Sequence, residues 1–521
     1  MVTAMLIFEL LLGLLALSLI LALVAQRLRI PLAVALVLGG MALALVPGLP
    51  EITLAPELAL ALFLPPLLQM SAYRTDWPTF RSNLRPILLL AVGAVIFTAV
   101  VVALVAKWLL PSLPWGAAVA LGAIVAPPDA VAAASALREL KLPRRVVVVL
   151  EGESLLNDAS SLVLYRFAVG ATMAGSFAWG QGLASFVLAG AGGAAIGWVI
   201  GRIAIWVFTV LADTLHDIAA SVLAGFAAYL LAESLHVSGV LAAVACGLVL
   251  GRSQHHAFSA RTRLESAAVW DFIEFVLTAL LFMLIGLQLR GIVTRLDGYD
   301  VGRLALLAGV LSATLIVSRF LWIVPMAWIP RWLSRRVRED DPLPPTAELV
   351  VTAWAGMRGV VSLAAALALP LRFPGRDIIV FLAFCAIFTT LIVQGTTLGP
   401  LIRRLGVTAD DDEDGTTAQS ALRREASEAA LATVEDQVAQ HGDVAEELVD
   451  EFRGRAEQAA RDDEAGDEEV DRRDRQQRLR LEALESARAT LAGGDDEGAG
   501  RALIEELDLE EERIRRELGE R

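Results

Sequence analysis

Cysteine is nearly missing from this chain: two in 521 residues, Cys246 and Cys385, both set inside apolar stretches far from each other. Neither a disulfide framework nor a cysteine-based zinc knuckle can be built from them. The marks of a removable secretory signal are missing as well. No basic residue precedes the apolar run at about 3–25, and Gln26-Arg27-Leu28-Arg29 follows it where small residues would mark cleavage, so that run is expected to stay as a membrane span. Long polar stretches are scarce before about residue 406. Up to that point apolar runs of about 20 residues recur, and the whole chain is 56% hydrophobic with a mean hydropathy of +0.61. A hydrocarbon core of ~30 Å asks for such lengths, so the chain reads as an all-α, polytopic membrane protein. A net charge of −14 gives no footing for a nucleic-acid partner.

That net charge joins two unlike regions. Residues 1–406 hold 28 Lys/Arg against 22 Asp/Glu, whereas residues 407–521 hold 16 against 36. The first region is expected to be the transmembrane domain and the second an acidic cytoplasmic domain. Spans are expected at about 3–25, 30–47, 52–72, 86–109, 115–137, 146–172, 181–210, 215–233, 235–251, 266–289, 302–329, 347–370 and 378–402, thirteen in all. With the N-terminus outside, the cytoplasmic loops carry 19 Lys/Arg and the outer loops 6, an asymmetry that places the tail in the cytoplasm of a plasma-membrane protein. Three arginines, Arg166, Arg319 and Arg358, fall within the apolar spans themselves.

Charge inside a span is costly, so it marks the place to look for function. The span at 146–172 contains Glu151-Gly152-Glu153-Ser154-Leu155-Leu156-Asn157-Asp158-Ala159-Ser160-Ser161. On a helix, Glu151, Ser154, Asp158, Ser161 and Tyr165 share one stripe, with Glu153 and Asn157 beside it. An intramembrane carboxylate normally faces the bundle interior or a water-filled cavity and belongs to an ion or proton path. The preceding span is interrupted at Ala126-Pro127-Pro128-Asp129-Ala130, where two prolines remove two backbone donors. A second interruption, Ala355-Gly356-Met357-Arg358-Gly359, lies where an inverted repeat of spans 1–6 and 8–13 would put the partner of the first. Broken helices of this kind are tolerated where they line a cavity, and their loose ends suit ion binding. Arg358 is expected opposite Asp129, Arg319 needs a buried acid and Glu153 is the choice, and Arg166 is expected toward the outer end of its helix.

The Glu-Gly-Glu-Ser-Leu-Leu-Asn-Asp run at 151–158, the Pro-Pro-Asp break ending at 129, Leu64-Pro65-Pro66-Leu67-Leu68 and Gly356-Met357-Arg358-Gly359 together resemble the NhaP-type and sodium/proton-exchanger branch of the monovalent cation:proton antiporters. The resemblance covers residues 1–406. It implies a homodimer whose protomers have an interface subdomain and a six-helix core subdomain, with spans five and twelve unwound and crossing. It further implies cation/proton exchange with a part in pH homeostasis, no cofactor, and a site in which Asp158 carries the cation or the proton beside Asn157, Ser154 and Asp129. Glu153 is then paired with an arginine such as Arg319. Two departures lower the count of available oxygens: Pro128 stands where many relatives have threonine, and Gln69 and Met70 stand where some carry an acid. Sodium is the expected cation and potassium the alternative.

Asn157 also bears on stoichiometry. Electrogenic relatives have two adjacent aspartates, and an amide does not titrate near neutral pH, so one-for-one electroneutral exchange is expected. A cation channel would need a continuous line of oxygens rather than one compact site. An intramembrane aspartyl protease would need Gly-x-Gly-Asp, which neither aspartate has. In the tail, Asp410-Asp411-Asp412-Glu413-Asp414 reads as a linker. Spaced apolar residues such as Leu479, Leu484, Leu503 and Leu507 then read as amphipathic helices. His255-His256 reads as a polar loop.

Overall fold

The computed structural model describes residues 2–28, 30–47, 56–129, 142–174, 179–211, 213–258, 260–296, 300–333 and 343–407, together with short pieces of the tail. Among the described residues every regular element is helical. The chain divides into two compact units, Met1–Ala409 and Asp410–Arg521. In the second, only brief helical pieces such as 427–433 are described, so the acidic linker and most of the expected amphipathic helices lie outside the described residues. So do the side chains of His255 and His256.

In the first unit the helices are α1 Val2–Leu28, α2 Leu32–Ala44, α3 Pro56–Arg74, the short α4 Trp77–Ser82, and α5 Leu84–Leu109, which contains a π-helical stretch at Leu89–Ala94. They continue with α6 Trp115–Val125, α7 Arg144–Ala174, α8 Trp179–Leu211, α9 Thr214–Ser234, α10 Gly239–Ala257, α11 Ala260–Arg295 and α12 Val301–Leu333. A pair of short helices follows, α13 Thr346–Trp354 and α14 Val360–Leu367, and then α15 Arg376–Leu405. Among the described residues seven helices are long and apolar enough to cross a membrane, and three more, at 32–44, 115–125 and 239–254, are apolar but shorter.

The helices pack in two sets. In one, α2 lies on α11, α10 on α3 and on α8, and α9 beside α8 and α10; in the other, α5 lies on α6, α6 on α7, and α12 on α5, α13 and α15. Between two helices already surrounded by lipid there is little hydrophobic driving force, so close backbone approach decides the fit. Gly40 and Gly286 show this where α2 meets α11, since a Cβ on either would run into the other helix's backbone. Elsewhere the caps are local. Asp213 caps α9 by accepting from the amides of Leu215 and His216, and the His216 amide and ring hold its carboxyl below the usual carboxylate range.

The two expected interruptions are present, and they meet. Helix α6 stops at Val125, and α13 and α14 are separated by the unwound Ala355–Gly359. The Asp129 amide donates to the Met357 carbonyl at 2.7 Å, so the two breaks share a backbone hydrogen bond. Paired prolines alone do not force this outcome. Pro65-Pro66 lies inside α3, which continues past it to Arg74. The difference at Pro127-Pro128 is a second broken segment that supplies partners for the freed groups.

Candidate functional site

Helix α7 presents its polar stripe to the interior of the bundle at the level of the two breaks. Asn157 is 0% exposed and Asp158 6%, and Glu153, Ser154, Ser161 and Tyr165 are buried with them. Glu151, nearer the helix start, is only half-buried and lies within electrostatic reach of Arg74. Serines on this helix satisfy themselves locally: the Ser161 hydroxyl donates to the Asp158 carbonyl at 3.0 Å and that of Ser160 to Leu156 at 3.2 Å.

Asn157 ties α7 to the broken helix. Its Nδ2 donates to the Pro128 carbonyl at 2.8 Å. A carbonyl only accepts, so this bond fixes the amide's orientation. The other end of the amide, Oδ1, is then left buried with no hydrogen-bond partner among the described residues. A buried acceptor without a donor is costly, and its natural complement is a cation. Asp158, the next residue, has the Asp129 carboxylate as its electrostatic neighbour. Asp158, Asn157 and Asp129 are thus brought together, with Ser154 one turn away on the same stripe. Two carboxylates and an amide oxygen are hard oxygen donors, suited to an alkali cation or a proton. No cluster of three or more His, Cys, Asp or Glu of the kind that holds a metal ion is found among the described residues.

The two deep arginines have different tasks. Arg319 forms a two-pronged pair with Glu153, Nη1 to Oε1 at 2.6 Å and Nη2 to Oε2 at 2.7 Å, and also donates to the Thr352 carbonyl at 3.2 and 3.3 Å. Both side chains are almost fully buried. Arg358, 1% exposed, is anchored on the backbone of the two breaks. Its Nε donates to the Val125 carbonyl at 2.6 Å and its Nη1 to the Gly356 carbonyl at 2.6 Å, while its amide donates to the Thr390 hydroxyl at 3.1 Å. Val125 ends α6 and Gly356 lies just past α13, so the guanidinium sits on carbonyl-rich, partially negative helix ends. A break frees carbonyls, and a fork of donors answers more than one of them at once. Arg166 pairs with Glu233 at 2.8 and 2.9 Å at an exposed position.

Several contributors carry no sequence signal of their own. Thr390 opens a π-helical turn, Thr390–Gln394, inside α15, a device found often at functional sites. Gly356 and Gly359 are required by contact: a Cβ at the first would overlap the side chain of Arg319, and at the second the carboxylate of Asp129. In α3, Gln69 and Met70 are both buried, and Gln69 Nε2 is spent on the Ser221 carbonyl of α9 at 2.7 Å.

The chain matches the family described as "Sodium/hydrogen exchanger, transmembrane" over residues 13–404. It is 34% identical over 474 residues to the uncharacterized Na(+)/H(+) exchanger Rv2287 of Mycobacterium tuberculosis, covering 87% of this chain and 86% of that one. It is 32% identical to the Na(+)/H(+) antiporter ApNhaP of Aphanothece halophytica, over 72% of this chain and 70% of that one. It is also 32% identical to the sodium, potassium, lithium and rubidium/H(+) antiporter of Bacillus subtilis, over 66% and 53%. In fold it resembles the sodium proton antiporter MjNhaP1 of Methanocaldococcus jannaschii, with a TM-score of 0.61 at 19% identity, covering 78% of this chain and 99% of that one.

Proposed function

Because the chain belongs to the sodium/hydrogen exchanger family, we propose that its exchange of a monovalent cation for a proton runs through Asp158. The cation is held by Asp158 and Asp129, the amide oxygen of Asn157 and the hydroxyl of Ser154. The protein is a transporter and not an enzyme. The observation that carries the site assignment is the Oδ1 of Asn157, without a hydrogen-bond partner among the described residues and buried beside Asp158 at the meeting of the two broken helices. A carboxylate in that position binds either a proton or a cation with the same oxygens, and occupancy by one excludes the other. Exchange is then competition at a single group.

Since position 157 is an amide, Asp158 is the titrating carboxylate of the pair, and each cycle trades one cation for one proton. Arg358 supports the site by neutralising the carbonyl ends of α6 and α13, and the Glu153–Arg319 pair braces α7 against α12 and α13. The set containing α5–α7 and α12–α15 serves as the core subdomain and the set containing α1–α3 and α8–α11 as the dimer interface. The protein works as a homodimer in the plasma membrane, N-terminus outside and tail in the cytoplasm, with a role in pH homeostasis.

Sodium is the preferred cation, as the name of the Aphanothece relative suggests. Potassium is the second reading, and a specific observation favours it. Pro128 supplies no side-chain oxygen, its carbonyl is occupied by Asn157, and Gln69 is turned to Ser221. A shell short of oxygens discriminates poorly against the larger, less tightly hydrated ion. The test is dissipation of a pH gradient in everted vesicles with each alkali cation across pH 6–9. Wild type responds most strongly to sodium and Asp158→Asn to none. Substantial antiport by Asp158→Asn would remove Asp158 from the carrier role.

A further inference from the structure

At one end of the set containing α8 and α10, a groove opens beside α4. Two tryptophans, Trp77 and Trp198, and two arginines, Arg202 and Arg252, line it over an aliphatic floor that includes Ile205 and Leu248. No aspartate or glutamate is among the described residues of the lining. Among the described residues neither arginine forms an ion pair. The Arg252 guanidinium lies over the Trp77 ring, 5.9 Å from its centroid, and Trp77 itself stacks on Phe80.

The outer face of α8 is apolar and exposed in the single chain. Trp198 is 57% exposed and Trp206 65%, and Val199, Ile203 and Val210 are exposed with them. Helix α8 has 33 residues, about 50 Å at 1.5 Å each, against a hydrocarbon core of ~30 Å. A centred helix therefore overhangs by ~10 Å at each end. Arg202 precedes the helix end at Leu211 by about 14 Å, which puts its Cα some 4 Å inside the hydrocarbon boundary, within the reach of a side chain that extends to the head groups. Tryptophan and arginine side by side at that depth are the pattern of a membrane–water interface.

We propose that this groove binds the head group of an anionic phospholipid, its phosphate held between Arg202 and Arg252 and its chains laid along the exposed aliphatic face of α8. Guanidinium groups match phosphate oxygens two at a time. With two cations and no carboxylate in the lining, a zwitterionic lipid gains the same phosphate contact but brings an amine into a positive field. An anionic lipid does not. On the expected orientation both arginines lie on the cytoplasmic side, where anionic lipids concentrate.

The purified full-length protein is delipidated, offered an equal mixture of phosphatidylglycerol and phosphatidylcholine, and the retained lipid identified by native mass spectrometry. Two surface arginine contacts predict roughly a thirty-fold preference for phosphatidylglycerol. Arg202→Gln/Arg252→Gln brings the ratio to about one while leaving elution and melting in phosphatidylcholine unchanged. If that variant is unstable, Arg202→Gln alone is the substitute; it lowers the preference to roughly five-fold, and an undiminished preference in it overturns the proposal as well. Equal retention of both lipids by wild type, or an undiminished preference in the Gln variant, overturns the proposal. If the Gln variant elutes as a monomer with its lipid preference intact, a second copy of the chain occupies the groove, which also overturns it.

Discussion

Removing Glu153 leaves Arg319 buried in a membrane-spanning bundle with half of its hydrogen bonds. The two carboxylate contacts at 2.6 and 2.7 Å are lost, while the two longer ones to the Thr352 carbonyl at 3.2 and 3.3 Å remain. Breaking a buried pair by deleting one partner typically costs ~3–5 kcal/mol. Membrane proteins often recover part of that through alternative partners, and Thr352 is already in place as one. Glu153→Ala is therefore expected to cost about 3 kcal/mol, which lowers the melting temperature of a domain this large by roughly 5 °C. Glu153→Gln keeps the shape and one acceptor and costs less, about 1–2 kcal/mol. The double change Glu153→Leu/Arg319→Met removes both charges and recovers most of the loss. Thermal unfolding in one detergent, with cation-dependent transport measured in parallel, tests all three. If Glu153→Ala melts with wild type and its apparent cation affinity shifts instead, the pair is no brace and Glu153 belongs to the binding shell.

Gly359→Ala places a Cβ into the Asp129 carboxylate and should abolish most transport while the protein still elutes as wild type; retained full activity would show that Asp129 has no fixed place in the site. Gly356→Ala presses on the Arg319 stem instead, so its effect should fall on melting temperature more than on transport. One-for-one exchange moves no net charge. With matched pH inside and outside proteoliposomes, a potassium-diffusion potential set with valinomycin should leave sodium/proton exchange unchanged, and a sodium-dependent proton flux driven by that potential would make Asp129 a second titrating group.

The parts legible in the sequence are those in which a side chain violates its surroundings. Glu151 to Ser161 stood out because polar residues at helical spacing have no other reason to occupy an apolar span, and the breaks because Pro127-Pro128 and Gly356 to Gly359 interrupt such spans. Arg319 needed an acid at the same depth, and Glu153 is the one it meets. What stayed hidden involves the backbone. Arg358 and Gln69 bond to carbonyls of Val125, Gly356 and Ser221, and a carbonyl is the same at every position. The π-helical turn at Thr390 lies in an apolar run whose composition does not mark a change of pitch. Asn157 falls between the two cases: its presence in the span flagged it, but only its bond to Pro128 reveals which end of the amide is left over.

Competition between a proton and a cation for one carboxylate has a direct signature that requires no membrane gradient. In weakly buffered detergent solution near the midpoint of the exchange pH range, adding sodium to the purified protein should release about one proton per bound sodium, followed with a pH indicator and calibrated against calorimetric binding. Asp158→Asn, equally folded, should release none and bind sodium far more weakly. Release of a full proton by Asp158→Asn, or sodium binding to wild type with no proton released, would contradict exchange at Asp158.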